Sequence, residues 1–327
     1  MPLVFIRRQS PFHLPLLLVY TFAINFSIFI GDFSYPVWEY SFLFNILEIE
    51  KISLSNNLVA LISLLLTFIQ AVLINSIIVK YQLIEQRNLL GAYIYVTITA
   101  LFPYIILPSP AFFSLFFVLA VVHNMLGLFD VKNAAQKLFF SAFFLTLGGL
   151  LYSPVFLFFI LLLLSSFLLK SPKLEEIIII PMGFFTPVFL LFFCFYFFDN
   201  LDVLIYCTNL IPQLEFLFNL NNVLHIISMS YLLVILIIGY FNYHFVFSNK
   251  TVKLARYHQM FFVYFMLMIA ALIFTSLDKF SFISFFLIPL TLFLTTTFNF
   301  QSKKYPSFLF TGLFLLALIA QFEKAFF

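Results

Sequence analysis

Two acidic residues near the start of the chain, Asp32 and Glu39, have types and a spacing that could support chemistry. Asp32 follows an apolar run that ends at Gly31, and Glu39 comes seven positions after Asp32. A carboxylate in such a place could act as a general base or hold a divalent cation. Asp32 could equally just end the apolar run and face water. We take Asp32 and Glu39 as the candidate catalytic residues, Asp32 as the candidate metal ligand, and a divalent cation as the candidate cofactor.

Other residues whose side chains could take part in chemistry lie apart from one another along the chain. His123 and Asn124 fall within an apolar stretch, where such side chains usually bond between helices. His225 and His244 flank a later stretch, and no two histidines have the spacing of metal ligands. The 2 cysteines exclude a disulfide framework, and the sequence contains no Walker motif and no Gly-rich phosphate loop.

The composition predicts that the elements positioning these residues lie in a membrane. Hydrophobic residues make up 64% of the 327 residues and charged residues 9%, whereas soluble domains have about 45–50% and about 25%. A net charge of +3 is too small to indicate a nucleic-acid partner. With no repeats and no linkers, residues 1–327 are predicted to form one all-α polytopic transmembrane helix bundle.

Apolar runs long enough to span a bilayer recur along the whole chain. A span needs about 20 mainly apolar residues and must be helical, because lipid offers the backbone no hydrogen-bond partner. Pro108-Ser109-Pro110 and Ser153-Pro154 predict tight turns between neighbouring spans, while Pro181, Gly183 and Pro187 predict a break within one span. About eleven spans are predicted, at residues 13–31, 56–79, 89–107, 110–129, 136–152, 154–170, 177–198, 223–246, 258–277, 280–298 and 306–323.

The charges predict an N-terminus in the cytoplasm and a C-terminus on the periplasmic side. Cytoplasmic loops of membrane proteins carry an excess of lysine and arginine. Of the 16 basic residues, 13 then fall inside, namely Arg7, Arg8, Lys80, Arg87, Lys132, Lys137, Lys170, Lys173, Lys250, Lys253, Arg256, Lys303 and Lys304. Only Lys51, Lys279 and Lys324 fall outside, and this bias sets the predicted orientation.

Two outer loops, 32–55 and 199–222, are longer than a turn. The first reads DFSYPVWEYSFLFNILEIEKISLS and opens with Trp38 and Tyr40, residue types that prefer the headgroup level. The second, DNLDVLIYCTNLIPQLEFLFNLNN, has the same character. Burying their charges would cost about 2.5–3.5 kcal/mol each. Both loops are therefore predicted to lie along the outer interface without spanning the membrane.

Two stretches carry resemblances to known families. The stretch LINSIIVKYQLIEQRNLLGAYIYVTITALFP (73–103), with the span pairs after it, resembles a family of uncharacterised membrane proteins from flavobacteria and relatives. Length and span count also match, so this resemblance covers most of the chain. It implies a bacterial inner-membrane location and no particular reaction.

The outline of the chain also resembles, more distantly, the GT-C superfamily of membrane glycosyltransferases. These proteins place an acidic residue after the first span, then an outer loop of interfacial helices, then short paired spans. The counterparts here are Asp32, the loop 33–55, and the pairs 89–129 and 136–170; SAFFLTLGGLLYSPVFLFFILLLL (141–164) resembles their small-residue span. The turn ILPSPAFF (106–113) departs from the pattern, because it has no acidic residue. The resemblance implies a polyprenyl-phosphate-linked substrate, with Asp32 as base or metal ligand and Glu39 supporting it.

Three functions remain open at this point. The first is a GT-C-like transferase acting on a lipid-linked sugar at the outer face. The second is a non-catalytic membrane subunit of a cell-envelope complex, with other membrane proteins as partners. The third is a transporter of lipids or small molecules, which the sequence disfavours because no ionisable residue lies near the middle of a span. Membrane lipids are expected partners in every case.

Overall fold

The computed structural model describes residues 12–30, 55–84, 88–170, 172–198, 227, 230–238, 252–274, 279–298 and 305–326. These residues are helical with short connections and contain no strand, which confirms the predicted all-α fold for this part of the chain. Residues 230–238 are helical as well. The other elements are α1 (His13–Ile24), α2 (Ser27–Ile30), α3 (Asn56–Lys80), α4 (Leu90–Ala100), α5 (Pro103–Ile106), α6 (Pro110–Leu126), α7 (Ala135–Leu151), a 3₁₀ helix (Ser153–Leu157), α8 (Phe158–Leu169), α9 (Leu174–Phe197), α10 (Val252–Phe274), α11 (Lys279–Phe298) and α12 (Tyr305–Phe326).

Each predicted span coincides with helical residues in the described part of the chain. Three helical segments there are long and apolar enough to cross a membrane, namely α3, α9 and Val252–Ala271 of α10. This supports the assignment as a membrane protein. The remaining apolar stretches are shorter, at 10–17 residues, and take in only Ser284–Phe298 of α11 and Pro306–Gln321 of α12, so the count of about eleven crossings stays a prediction.

Prolines set several of the helix boundaries. Pro110 begins α6, where the Ser109 side chain accepts a hydrogen bond from the Phe112 N–H at 3.2 Å. The turn at Ser153-Pro154 opens a 3₁₀ helix, so both predicted proline turns are confirmed. The predicted break at Pro181 and Pro187 is wrong, because α9 runs unbroken through both prolines. Membrane helices tolerate internal proline, since the freed backbone groups are satisfied locally.

The short helix α4 lies at the centre of the described bundle. Every residue from Leu90 to Ala100 is buried, and α4 packs against α1, α3, α11 and α12. A Cβ atom at Gly91 would collide with the Ile78 side chain, so glycine permits the close approach of α3. Polar side chains tie α4 to α3 and α3 to α6: the Tyr95 hydroxyl donates to Gln70 Oε1 at 2.7 Å, and Gln70 Nε2 donates to the Phe112 carbonyl at 2.9 Å.

Of the basic residues predicted to face the cytoplasm, those that the structure describes lie at one end of the bundle. Lys80 Nζ lies 3.0 Å from His123 Nε2, and Lys170 Nζ donates to the Lys132 carbonyl at 2.8 Å. Arg256 donates to the carbonyl of Leu169 at 3.2 Å. We call this the basic end; it joins the carboxyl ends of α3, α6 and α8 to the amino ends of α7, α9 and α10. The meeting of carboxyl and amino ends at the basic end agrees with consecutive helices that run in opposite directions.

We expect reporter fusions to place the basic end in the cytoplasm and the C-terminus outside. A reporter active only outside the cytoplasm should work when fused after residue 327 and fail when fused after Lys170, because positive loops stay inside. A reporter active only in the cytoplasm should give the opposite pattern. Cytoplasmic activity of the fusion at residue 327 would overturn the predicted topology.

Candidate functional site

Asp32 and Glu39 lie outside the residues that the structure describes. The predicted interfacial loops 32–55 and 199–222 do so too, except for Ser55. The catalytic roles assigned to Asp32 and Glu39, and the interfacial placement of the loops, therefore remain predictions. Ile30 at the end of α2 is the last described residue before Asp32, so the structure shows what holds the chain just ahead of the candidate carboxylate.

A buried polar network anchors the chain where the first span ends. Gln321 of α12 accepts a hydrogen bond from the Ser27 hydroxyl and donates to the Ala100 carbonyl at 2.7 Å. Its amide nitrogen also lies 3.4 Å from Asn25 Oδ1, and Asn25 Nδ2 donates to the Thr21 carbonyl at 3.0 Å. Both amide side chains are buried. Gln321 thus ties the end of α1 and the start of α2 to the carboxyl ends of α4 and α12.

This network fixes the start of α2 at Ser27, five residues ahead of Asp32. Buried polar groups in an apolar surrounding are costly unless they are hydrogen-bonded, so the network holds a single arrangement. Sequence reasoning missed Asn25 and Gln321. Both are amides within apolar spans, which was the available signal, but 296 positions separate them.

A lateral groove opens between the helical residues 230–238, α10 and α11. Its volume is about 510 Å³, within the range of about 300–1,000 Å³ typical of ligand clefts. Leu233, Ile237 and Phe262 at its rim are 57%, 48% and 40% exposed, so the groove is open at the protein surface. The whole lining is apolar and consists of Leu232, Leu233, Leu236, Ile237, Phe262, Phe265, Ile269, Phe286, Leu290 and Phe293.

Phenylalanine rings shape the groove. The rings of Phe265 and Phe286 lie 4.6 Å apart, and Phe265 meets Phe293 edge to face at 6.1 Å. Lipid tails are as apolar as leucine, so a chain gains little hydrophobic energy by entering from the bilayer. Affinity must come from dispersion contacts with a fitted surface and from polar contacts to a headgroup. The groove therefore suits the chain of a larger amphipathic molecule.

The remaining sequence candidates are partly accounted for. His123 bonds between helices as predicted, since Lys80 approaches its ring and the Tyr81 hydroxyl donates to its carbonyl at 2.7 Å. His225 and His244 lie outside the described residues. Among the residues that are described, no three His, Cys, Asp or Glu side chains lie together as a metal site.

Comparison with known families places most of the chain in one of them. The profile of the Family of unknown function (DUF6427) matches residues 13–326. Comparison with curated proteins and with solved structures finds no match.

Proposed function

The chain belongs to this family of unknown function, and from that premise we propose that it handles a lipid-linked substrate in a bacterial cytoplasmic membrane. In its finer form, the proposal is a GT-C-like transferase that takes a sugar from a polyprenyl-phosphate donor at the outer face. The observation that carries the proposal is the lateral groove between 230–238, α10 and α11. Its lining would provide an apolar contact surface for a long lipid chain that enters from the bilayer.

The headgroup of such a substrate would lie at the outer face, where Asp32 is predicted. The network of Asn25, Ser27 and Gln321 supports this role, because catalysis requires a carboxylate held in a defined direction. Asp32 would then serve as base or hold a divalent cation with Glu39, and phosphate oxygens and waters would complete the coordination. The packed centre around α4 gives no support to a central transport pathway in the described bundle.

We expect a groove-filling substitution to weaken the binding of a polyprenyl phosphate. Ile237→Trp would place an indole at the rim of the groove, and Ile160→Trp on α8 is the matched control, since Ile160 is 51% exposed and lies outside the lining. The bound fraction, measured by native mass spectrometry from nanodiscs, should fall about tenfold in Ile237→Trp, which corresponds to about 1.4 kcal/mol.

The control variant should bind like the unmodified protein. Equal binding by the two tryptophan variants would contradict a chain in the groove. Absence of any polyprenyl phosphate adduct on the unmodified protein would contradict the proposed substrate class.

A further inference from the structure

Three lysines from three different helices meet at the loop that follows α6, at the basic end. Lys137 Nζ donates to the Gly127 carbonyl at 2.5 Å, and Lys253 Nζ pairs with Asp130 Oδ1 at 2.5 Å. Lys80 Nζ donates to His123 Nε2 at 3.0 Å. Lys137 also lies within electrostatic range of Lys80, Lys253 and Asp130. These side chains form one cluster, which we call the lysine cluster.

Two buried tyrosines form the floor of the lysine cluster. The rings of Tyr81 and Tyr257 meet edge to face at 5.9 Å, and Lys80 and Lys253 each lie 5.7 Å from the centre of one ring. Burial, with the Asp130 carboxylate, raises the pKa of Tyr81 to about 12, so its hydroxyl stays protonated and donates to the His123 carbonyl. The Tyr257 hydroxyl donates to the Leu126 carbonyl at 2.8 Å. The ammonium groups of Lys80 and Lys253 thus lie over a fixed aromatic surface.

The charges of the lysine cluster do not balance. Within the lysine cluster itself, three ammonium groups against the Asp130 carboxylate leave a charge of +2 (3 − 1). Lys137 and Lys253 are partly buried, so these like charges repel more strongly than they would in open water.

We infer that the lysine cluster binds a phosphate monoester group. Such a group carries about −1.5 to −2 charges at pH 7, which matches the excess, and its oxygens accept charge-assisted hydrogen bonds from ammonium groups. A phosphodiester supplies only one charge. The same chemistry is offered by a lipid with a monoester headgroup and by free phosphate. Basic pockets between membrane helices on the cytoplasmic side are suited to anionic headgroups.

This site is independent of the lateral groove. Lys253 and the groove residue Phe262 are nine positions apart on α10, which turns the helix by about 900°, so they lie on opposite faces. The inference does not rest on the proposed function, and either can fail alone.

Native mass spectrometry from nanodiscs that hold phosphatidic acid, phosphatidylglycerol or phosphatidylcholine tests the inference. The unmodified protein should retain phosphatidic acid, a monoester, over the other two lipids. Lys80→Gln and Lys253→Gln should each weaken this binding about tenfold, which is about 1.4 kcal/mol. Lys132→Gln is the control, because Lys132 is an exposed lysine at the same end outside the cluster. Lys253→Arg keeps the charge and should retain binding.

Competition with inorganic phosphate distinguishes the two sources. Retained phosphatidic acid in excess phosphate assigns the site to a lipid, and displacement assigns it to a soluble monoester; both results support a phosphate site. Equal retention of phosphatidic acid and phosphatidylglycerol would overturn the monoester assignment. An equal loss of binding in Lys132→Gln and Lys80→Gln would overturn the site itself.

Discussion

Replacing Glu176 by glutamine should destabilise the protein by about 3–5 kcal/mol, the cost typical of removing one partner from a buried ion pair. The carboxylate is buried and accepts three hydrogen bonds, from the Ala134 N–H at 2.7 Å, the Lys173 N–H at 3.1 Å and Lys170 Nζ at 2.7 Å. It thereby joins the start of α7, the start of α9 and the end of α8. The NH2 group of glutamine would face one of these three hydrogen-bond donors. Lys170 would also lose its charge partner.

Glu175→Gln is the matched control, because Glu175 is the neighbouring residue in the first turn of α9 and is exposed. Denaturant unfolding in detergent should show a large loss for the first variant and about no change for the second. The double variant Lys170→Met/Glu176→Met removes both charges and should recover part of the loss. Equal stability of the two single variants would show that Glu176 does not hold these helix ends together.

Asp32→Asn should abolish function while leaving insertion and folding intact. The substitution keeps the size of the side chain and removes its charge, so it separates chemistry from packing. General acid–base catalysis typically contributes about 10²–10⁴-fold in rate, and a metal ligand would be lost as well. In a deletion strain, the variant should be made at normal levels in the membrane yet fail to complement. Glu39→Gln should show a smaller defect of the same kind.

Asp199→Asn is the control for this experiment, since Asp199 is another aspartate in a predicted outer loop. It should complement fully. Full complementation by Asp32→Asn would end both the base and the metal-ligand roles. A non-catalytic membrane subunit of an envelope complex would then be the better account of the chain.

The helices could be predicted because the bilayer restricts the backbone to helical structure. The span predicted at 56–79 corresponds to α3, Asn56–Lys80, and the proline turns before α6 and α8 follow from the fixed backbone of proline. The prediction at Pro181 and Pro187 failed because the same rule is weaker inside a membrane helix.

Burial could not be predicted from composition. Helices α4 and α9 are both strongly apolar. Every residue of α4 is buried, whereas only 17% of the residues in the apolar stretch of α9 are buried. In a bilayer, leucine and phenylalanine serve equally well against protein and against lipid. In the sequence, the residues that line the groove therefore could not be distinguished from residues that face lipid. The lysine cluster was equally hidden, because it brings together positions 80, 137 and 253 from three helices.

A density map of the protein in nanodiscs with added polyprenyl phosphate tests the central claim, that a long lipid chain lies in the lateral groove. The account predicts a continuous, elongated density that contacts Leu232, Phe265 and Leu290. It also predicts a headgroup density at the outer face, beyond the end of α2. A groove closed by its own side chains, or filled by a helix of a companion protein, would contradict the account.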